Sequence, residues 1–229
     1  MFSPMTIEKP ASDEPWNSEE AVRLKTAFED FGSVVHSAYG SYLDGCLGFR
    51  MIRQTIEEGH RQLRASGQVP AGSDLDAAAF LYSRTDPSKG GPVQHGVSQG
   101  EMKRRNAARG ENEVRLAHML LVFVYEAWET EHRHKVAEAI RTDAKDVKIP
   151  VLGDLRLLRH TILHGRGVLS EETVRKLEVL RVGKAGDRLI LDDKQVESIV
   201  MTSLMDSITN WLRNHFEVND GGDDDSPSS

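Results

Sequence analysis

AVRLKTAFEDFGSVVHSAYGSYLDGCLGFRMIRQTIEEGH, residues 21–60, decides the fold class. Within it Leu24, Phe28, Phe31, Val35, Ala38, Tyr42, Cys46, Phe49, Ile52 and Ile56 recur every three or four residues. Apolar side chains at that period line one face of an α-helix and would alternate across both faces of a strand. The spacing therefore predicts a core helix of roughly nine turns. Gly40, Gly45 and Gly48 lie inside it, where each either kinks the helix or lets a neighbour approach closely. Just upstream, Asn17 followed by Glu20 has the spacing of a capping box.

The same reasoning yields two more long helices. In residues 111–140, Val114, Ala117, His118, Leu121, Val122, Tyr125, Trp128, His132, Val136 and Ala139 mark an inner face. Asp192 or Asp193 then caps a helix reaching Phe216, with Val196, Ile199, Val200, Leu204, Ile208, Trp211 and Leu212 turned inward. Two short helices lie between them. Asp154 is expected to cap one over residues 155–164, ended by Gly165 and Gly167, and Ser170 opens another that stops near Lys176. Residues 177–182 and 188–191, joined by Gly183-Lys184-Ala185-Gly186-Asp187, alternate like a small β-hairpin. The expected fold is all-α: a bundle of long helices with a small accessory hairpin.

The rest of the chain frames this domain. Residues 1–16 hold three prolines and read as a loose arm, and residues 218–229 read as a disordered acidic tail. The domain is expected over residues 17–217. Residues 66–110, with ten glycines and prolines between Gly67 and Gly110, read as one long connection with a short apolar stretch at residues 77–82. Its end carries Lys103, Arg104 and Arg105, the densest positive cluster in the chain.

Composition narrows the function. The 229 residues suit one ordinary domain, and a single cysteine excludes a disulfide framework within one chain. The longest apolar run, residues 119–125, is far short of a membrane span, and the N-terminus lacks the pattern of a secretory leader. A soluble protein of a reducing compartment is expected, most simply the cytoplasm, with no membrane partner. Net charge is −7, of which the four tail aspartates supply four. The near-balanced remainder gives no general cationic coat for nucleic acid. No phosphate loop, dinucleotide fingerprint, nucleophile elbow, EF-hand or H-E-x-x-H is present.

The remaining chemistry is concentrated in residues 154–167, DLRLLRHTILHGRG. Arg156, His160 and His164 fall at i, i+4 and i+8 on one polar stripe, with Arg159 beside it. Leu155, Leu158 and Ile162 occupy the opposite side. Such a group suits metal-free phosphodiester cleavage. An imidazole takes or gives the proton while a guanidinium holds the phosphoryl oxygens. An Arg five positions before a His is expected roughly once by chance in a chain this rich in both, so the pair alone means little. Its weight comes from the amphipathic helix, His160 directly after the Arg, and the glycine terminator.

At these residues the chain resembles the HEPN superfamily (higher eukaryote and prokaryote nucleotide-binding domains). That family's signature is Arg, four to six residues, then His, often with a polar residue after the Arg. Arg159-His160-x-x-x-His164 has that spacing. The resemblance implies an all-helical bundle with the motif on a late helix. It also implies a metal-independent endoribonuclease, acting as a toxin or in anti-phage defence and commonly as a homodimer. By the same resemblance Arg159 binds the scissile phosphate, His164 is the acid/base, and His160 orients the pair or binds RNA. Glu129 and Arg156 are the supporting candidates. Lys103, Arg104, Arg105 and Arg166 are weaker RNA contacts. Some toxin members carry a tyrosine two residues after the His, where an antitoxin modifies them. Here that position is Arg166, which puts that regulation in doubt, although an antitoxin or other regulatory partner stays in view.

Two alternatives stay open. Glu129 and Arg133, at i, i+4, also fit a plain surface pair. A HEPN-like module that binds RNA, a nucleotide or a protein without cleaving fits the same sequence, as does an unrelated helical interaction protein. His160 and His164 have the spacing of a zinc pair, but the sequence offers no clear third ligand. No metal and no cofactor are expected.

Overall fold

The computed structural model describes residues 18–219. Asn17, the N-terminal arm and the acidic tail beyond 219 lie outside the described residues. The order along the chain is α1 (Glu19–Ala65), β1 (Ala79–Tyr82), β2 (His95–Ser98), α2 (Gln99–Arg105), α3 (Glu111–Ala127), α4 (Arg133–Ala139), α5 (Pro150–His164), α6 (Glu171–Lys176), α7 (Asp193–Glu197) and α8 (Leu204–Asn219). The fold is mainly helical, as the apolar periods require. No helix among the described residues is long and apolar enough to cross a membrane.

The expected first helix is one unbroken element of 47 residues. Ser18 caps it, its Oγ accepting from the Ala21 N–H at 3.1 Å. The helix continues through Gly45. A Cβ there would overlap the Leu116 side chain, so this glycine serves a close approach. The described residues divide into two compact units, residues 18–41 with 118–219, and residues 42–117. α1 and α3 contribute residues to both.

In the first unit the core is aromatic at its centre. The Trp128 ring stacks on Phe28 at 6.3 Å and lies 5.4 Å from Phe31, and Trp211 meets Phe28 edge-on. Around them pack Leu24, Val35, Leu121, Val124, Val136, Leu155, Leu158, Val200, Leu204, Ile208 and Leu212, all buried. Two helix junctions are π-helical. Trp128–His132 joins α3 to α4, and Ser198–Ser203 joins α7 to α8. Each widens the helix locally and rotates the next segment about the axis, which a uniform 3.6 period does not foresee. Asp192 caps α7 in a full capping box with Gln195, and Ser170 caps α6 through the Thr173 N–H.

Two expectations in this unit are corrected. α5 begins at Pro150, in the first turn where proline's missing N–H costs nothing, so Asp154 is not its cap. Asp154 sits inside the helix, 1% exposed, and its carboxylate accepts three backbone N–H groups: Glu178 at 2.9 Å, Val179 at 2.8 Å and Leu180 at 2.7 Å. That capture also bears on the second correction. Residues 177–191 form no hairpin: the Glu178, Val179 and Leu180 amides go to Asp154, and the Leu189 amide goes to the Gly167 carbonyl. Only an isolated bridge, Val168 to Arg188, is present.

The second unit holds the sheet. Residues 66–110 are not one structureless connection. β1 and β2 pair antiparallel from Ala79–Ser98 to Tyr82–His95, and α2 comes directly after, capped by Ser98. Asp76 anchors the arrangement. It pairs with Lys103 at 2.6 Å and lies 3.6 Å from His60, whose Nε2 meets Gln99 at 2.6 Å. Lys103 holds the Asp76 carboxyl below the usual carboxylate range. Glu113 is buried and answered by Arg50 at 2.7 Å.

Candidate functional site

α5 carries the Arg/His set because its two faces differ. Val151, Leu152, Leu155 and Leu158 are buried, and Thr161 meets Thr173 on the same inner side. Arg156, His160 and His164 are exposed and Arg159 is half-buried. The His160 and His164 rings lie 4.8 Å apart, tilted at 44°. His164 is the last residue of the helix, and Gly165 bonds back to the Thr161 carbonyl. Arg166 takes φ +53° and Gly167 φ +73° in the turn beyond it. Inside that turn a Cβ on Gly167 would come 3.0 Å from His118 Cε1.

Arg159 is held on its inner side. Its guanidinium stands 5.9 Å over the Tyr125 ring, and its Nε donates to the Glu126 carboxylate. Neither terminal nitrogen of Arg159 has a hydrogen-bond partner among the described residues. The expected supporting acid, Glu129, is committed elsewhere. Its two oxygens accept from Arg133 Nη1, both at 3.0 Å. Burial, with the Glu129 charge added, pushes the Tyr125 phenol up, so it remains a neutral donor. The acid that orients Arg159 is thus Glu126, not Glu129. A signal for this existed. Arg133 answers Glu129 at i+4, whereas position i+4 from Glu126 is Thr130, which leaves that carboxylate unpaired on its own helix.

Helical geometry limits what one chain does here. Five residues turn the helix by about 500° and advance it about 7.5 Å, so Arg159 and His164 project about 140° apart. His160 and His164, four residues apart, share a face. One copy therefore presents a two-histidine face with an arginine beside it, not a guanidinium and an imidazole meeting at one point.

The remaining candidates are distributed. Lys103, Arg104 and Arg105 lie on α2 in the second unit and pair with Asp76, Glu101 and Glu111. Arg166 is exposed just past α5. Arg156 lines a cleft of about 630 Å³ bounded by the π-helical turn, residues 145–149 and the first half of α5. Arg159, His160 and His164 are not among its lining residues. His118, which the apolar period places on an inner face, donates from Nε2 to the Leu189 carbonyl at 2.8 Å. A carbonyl only accepts, so Nε2 carries the proton, and burial holds this imidazole below its usual range. Among the described residues no group of three His, Cys, Asp or Glu gathers to hold a metal ion. Comparison with protein-family models, with curated proteins and with solved structures gave no match to this chain.

Proposed function

We propose that this chain is a metal-independent endoribonuclease of HEPN type, acting as a homodimer whose active site is completed across a two-fold axis. The observation that carries the reading is the solvent-facing side of α5. It sets two imidazoles 4.8 Å apart beside an arginine whose Nε is anchored by Glu126 and whose terminal nitrogens have no partner among the described residues. A guanidinium fixed at Nε keeps both terminal nitrogens for a phosphate, the group it binds best in bidentate fashion.

The chemistry is a transesterification. The RNA 2′-oxygen attacks the adjacent phosphorus and the bond to the 5′-oxygen breaks, leaving a 2′,3′-cyclic phosphate and a free 5′-hydroxyl. A neutral imidazole takes the 2′-hydroxyl proton, and an imidazolium gives one to the departing oxygen. Arg159 stabilises the charge gathered on the phosphoryl oxygens. His164 is the acid/base, and His160 supplies or orients the second imidazole. Because Arg159 and His164 diverge on one helix, Arg159 of one protomer is paired with His164 of the other. Apolar surface nearby favours that pairing: Met119 and Phe123, on the α3 stripe that leads to Glu126, are 66% and 50% exposed, and Leu163, one turn beyond Arg159, is 50% exposed.

The test is cleavage of a mixed-sequence RNA in EDTA by the wild-type chain, Arg159→Ala and His164→Ala. Each variant is expected to lose roughly 10²–10⁴ in rate, and wild-type products to end in a cyclic phosphate. Unchanged cleavage in both variants overturns the assignment. RNA binding with no cleavage by the wild-type chain would mark a binding module instead.

A further inference from the structure

The cleft that Arg156 lines is cationic in a way the ion pairs of the fold do not explain. Arg133, Lys145, Lys148, Arg156 and Lys176 line it, against the carboxylates of Glu129, Asp154 and Glu178. Two of those acids are already engaged, Glu129 by Arg133 and Asp154 by three backbone amides. Two of the cations have partners as well: Lys145 pairs with Asp143 at 2.9 Å and Lys176 with Glu172 at 2.6 Å. Lys148 and Arg156 form no ion pair among the described residues, and Glu178 is the one lining acid left to oppose them. α5 also starts at this cleft. No side chain caps its N-terminus, and its first turn contains no acid, so the positive end of the helix adds to the field.

We infer that this cleft binds a phosphate ester, with Arg156 and Lys148 on the phosphate and the attached organic group against the inner wall. Tyr125, Trp128, Ile149 and Leu152 line that wall, an aromatic and aliphatic lining suited to a sugar or planar ring rather than to a bare ion. The space, about 630 Å³, is several times what a phosphate alone fills and lies within the usual range of small-molecule sites. The same phosphate chemistry reaches the cleft from two sources, a free nucleotide-sized molecule or a nucleotide within an RNA strand. The inference is independent of the cleavage reading, because Arg159, His160 and His164 stand outside the cleft.

Isothermal titration of the full chain with adenosine monophosphate, inorganic phosphate and a single-stranded 5′-phosphorylated tetranucleotide tests it. Saturable binding is expected, weaker for inorganic phosphate than for the ester. Arg156→Gln and Lys148→Gln, both on the surface, should each weaken it about tenfold or more while leaving the thermal unfolding midpoint in place. A tetranucleotide that binds more tightly than the monophosphate identifies a strand, and the reverse order identifies a free ligand. Either order supports the site. Absence of saturation by all three probes up to about 10 mM, or equal affinity in wild type and both variants, overturns it. Loss of RNA cleavage in His164→Ala with phosphate binding intact separates the two proposals.

Discussion

Replacing Asp154 by alanine removes the acceptor for three backbone amides at once. The carboxylate is 1% exposed, and no ion pair compensates its charge among the described residues; the N–H groups of Glu178, Val179 and Leu180 do so instead. Hydrogen bonds to a charged group contribute about 1.5–3 kcal/mol each, and an enclosed amide left bare costs about 1–3 kcal/mol. The three are not equivalent. Glu178 and Val179 are exposed, so water reaches their amides, whereas Leu180 is 3% exposed. One full penalty and two partial ones give a loss of about 2–4 kcal/mol for Asp154→Ala. Asp154→Asn should fall between, since one amide oxygen remains to accept while the amide nitrogen faces donors. Urea unfolding followed by circular dichroism measures the loss, with the denaturant slope checked for a change in the denatured state. Amide exchange at residues 178–180 should accelerate before that of α5. A loss under about 1 kcal/mol, or unchanged exchange at those three amides, refutes the view that this carboxylate fastens the segment.

Gly167→Ala places a Cβ at φ +73° and 3.0 Å from His118 Cε1, and a loss of about 1–2 kcal/mol is expected in the same urea assay. Acid should weaken the fold through His118 and His132, both held below the usual imidazole range by burial. At these two imidazoles the unfolded chain takes up protons from about pH 6.5 downward and the folded chain only at lower pH, so their contribution is full above that pH and falls as pH drops below it. Unfolding midpoints from pH 7.5 to 5 should show this, and the decline should be shallower in His118→Asn. Glu126→Gln removes the charge that fixes the Arg159 Nε, and an RNA-cleavage rate lower by roughly tenfold or more is expected without loss of thermal stability.

The helices are legible in the sequence because their signals are local. The Ser170 and Asp192 caps act within one turn, and the apolar period acts from one turn to the next. The structure contains both caps and buries the stripe from Leu24 to Ile56, wholly or in part, except at Ile52, which is exposed. Asp154 misleads because an aspartate ahead of an apolar run is a good cap by type, while the amides it serves lie 24 to 26 residues away. Pro150 is the correct helix-start signal, although with Gly153 three residues on it equally suits a turn. The sheet escapes the sequence for a related reason. β1 contains the apolar stretch at residues 79–82, but its partner His95-Gly96-Val97-Ser98 has one apolar residue and no alternation to announce it. On the site, the sequence places Arg156, His160 and His164 on one exposed side of α5. It does not give the divergence of Arg159 from His164 full weight, nor choose Glu126 over Glu129, which depends on where two helices meet.

The claim of a site shared between two copies is tested most directly by mixing two inactive variants. Arg159→Ala and His164→Ala chains, unfolded and refolded together, form hybrid dimers in which one of the two composite sites regains both groups. About a quarter of wild-type RNA cleavage should then reappear, from one intact site in half of the dimers. A mixture as inactive as its separate components, beside a wild-type chain that cleaves, contradicts the shared site.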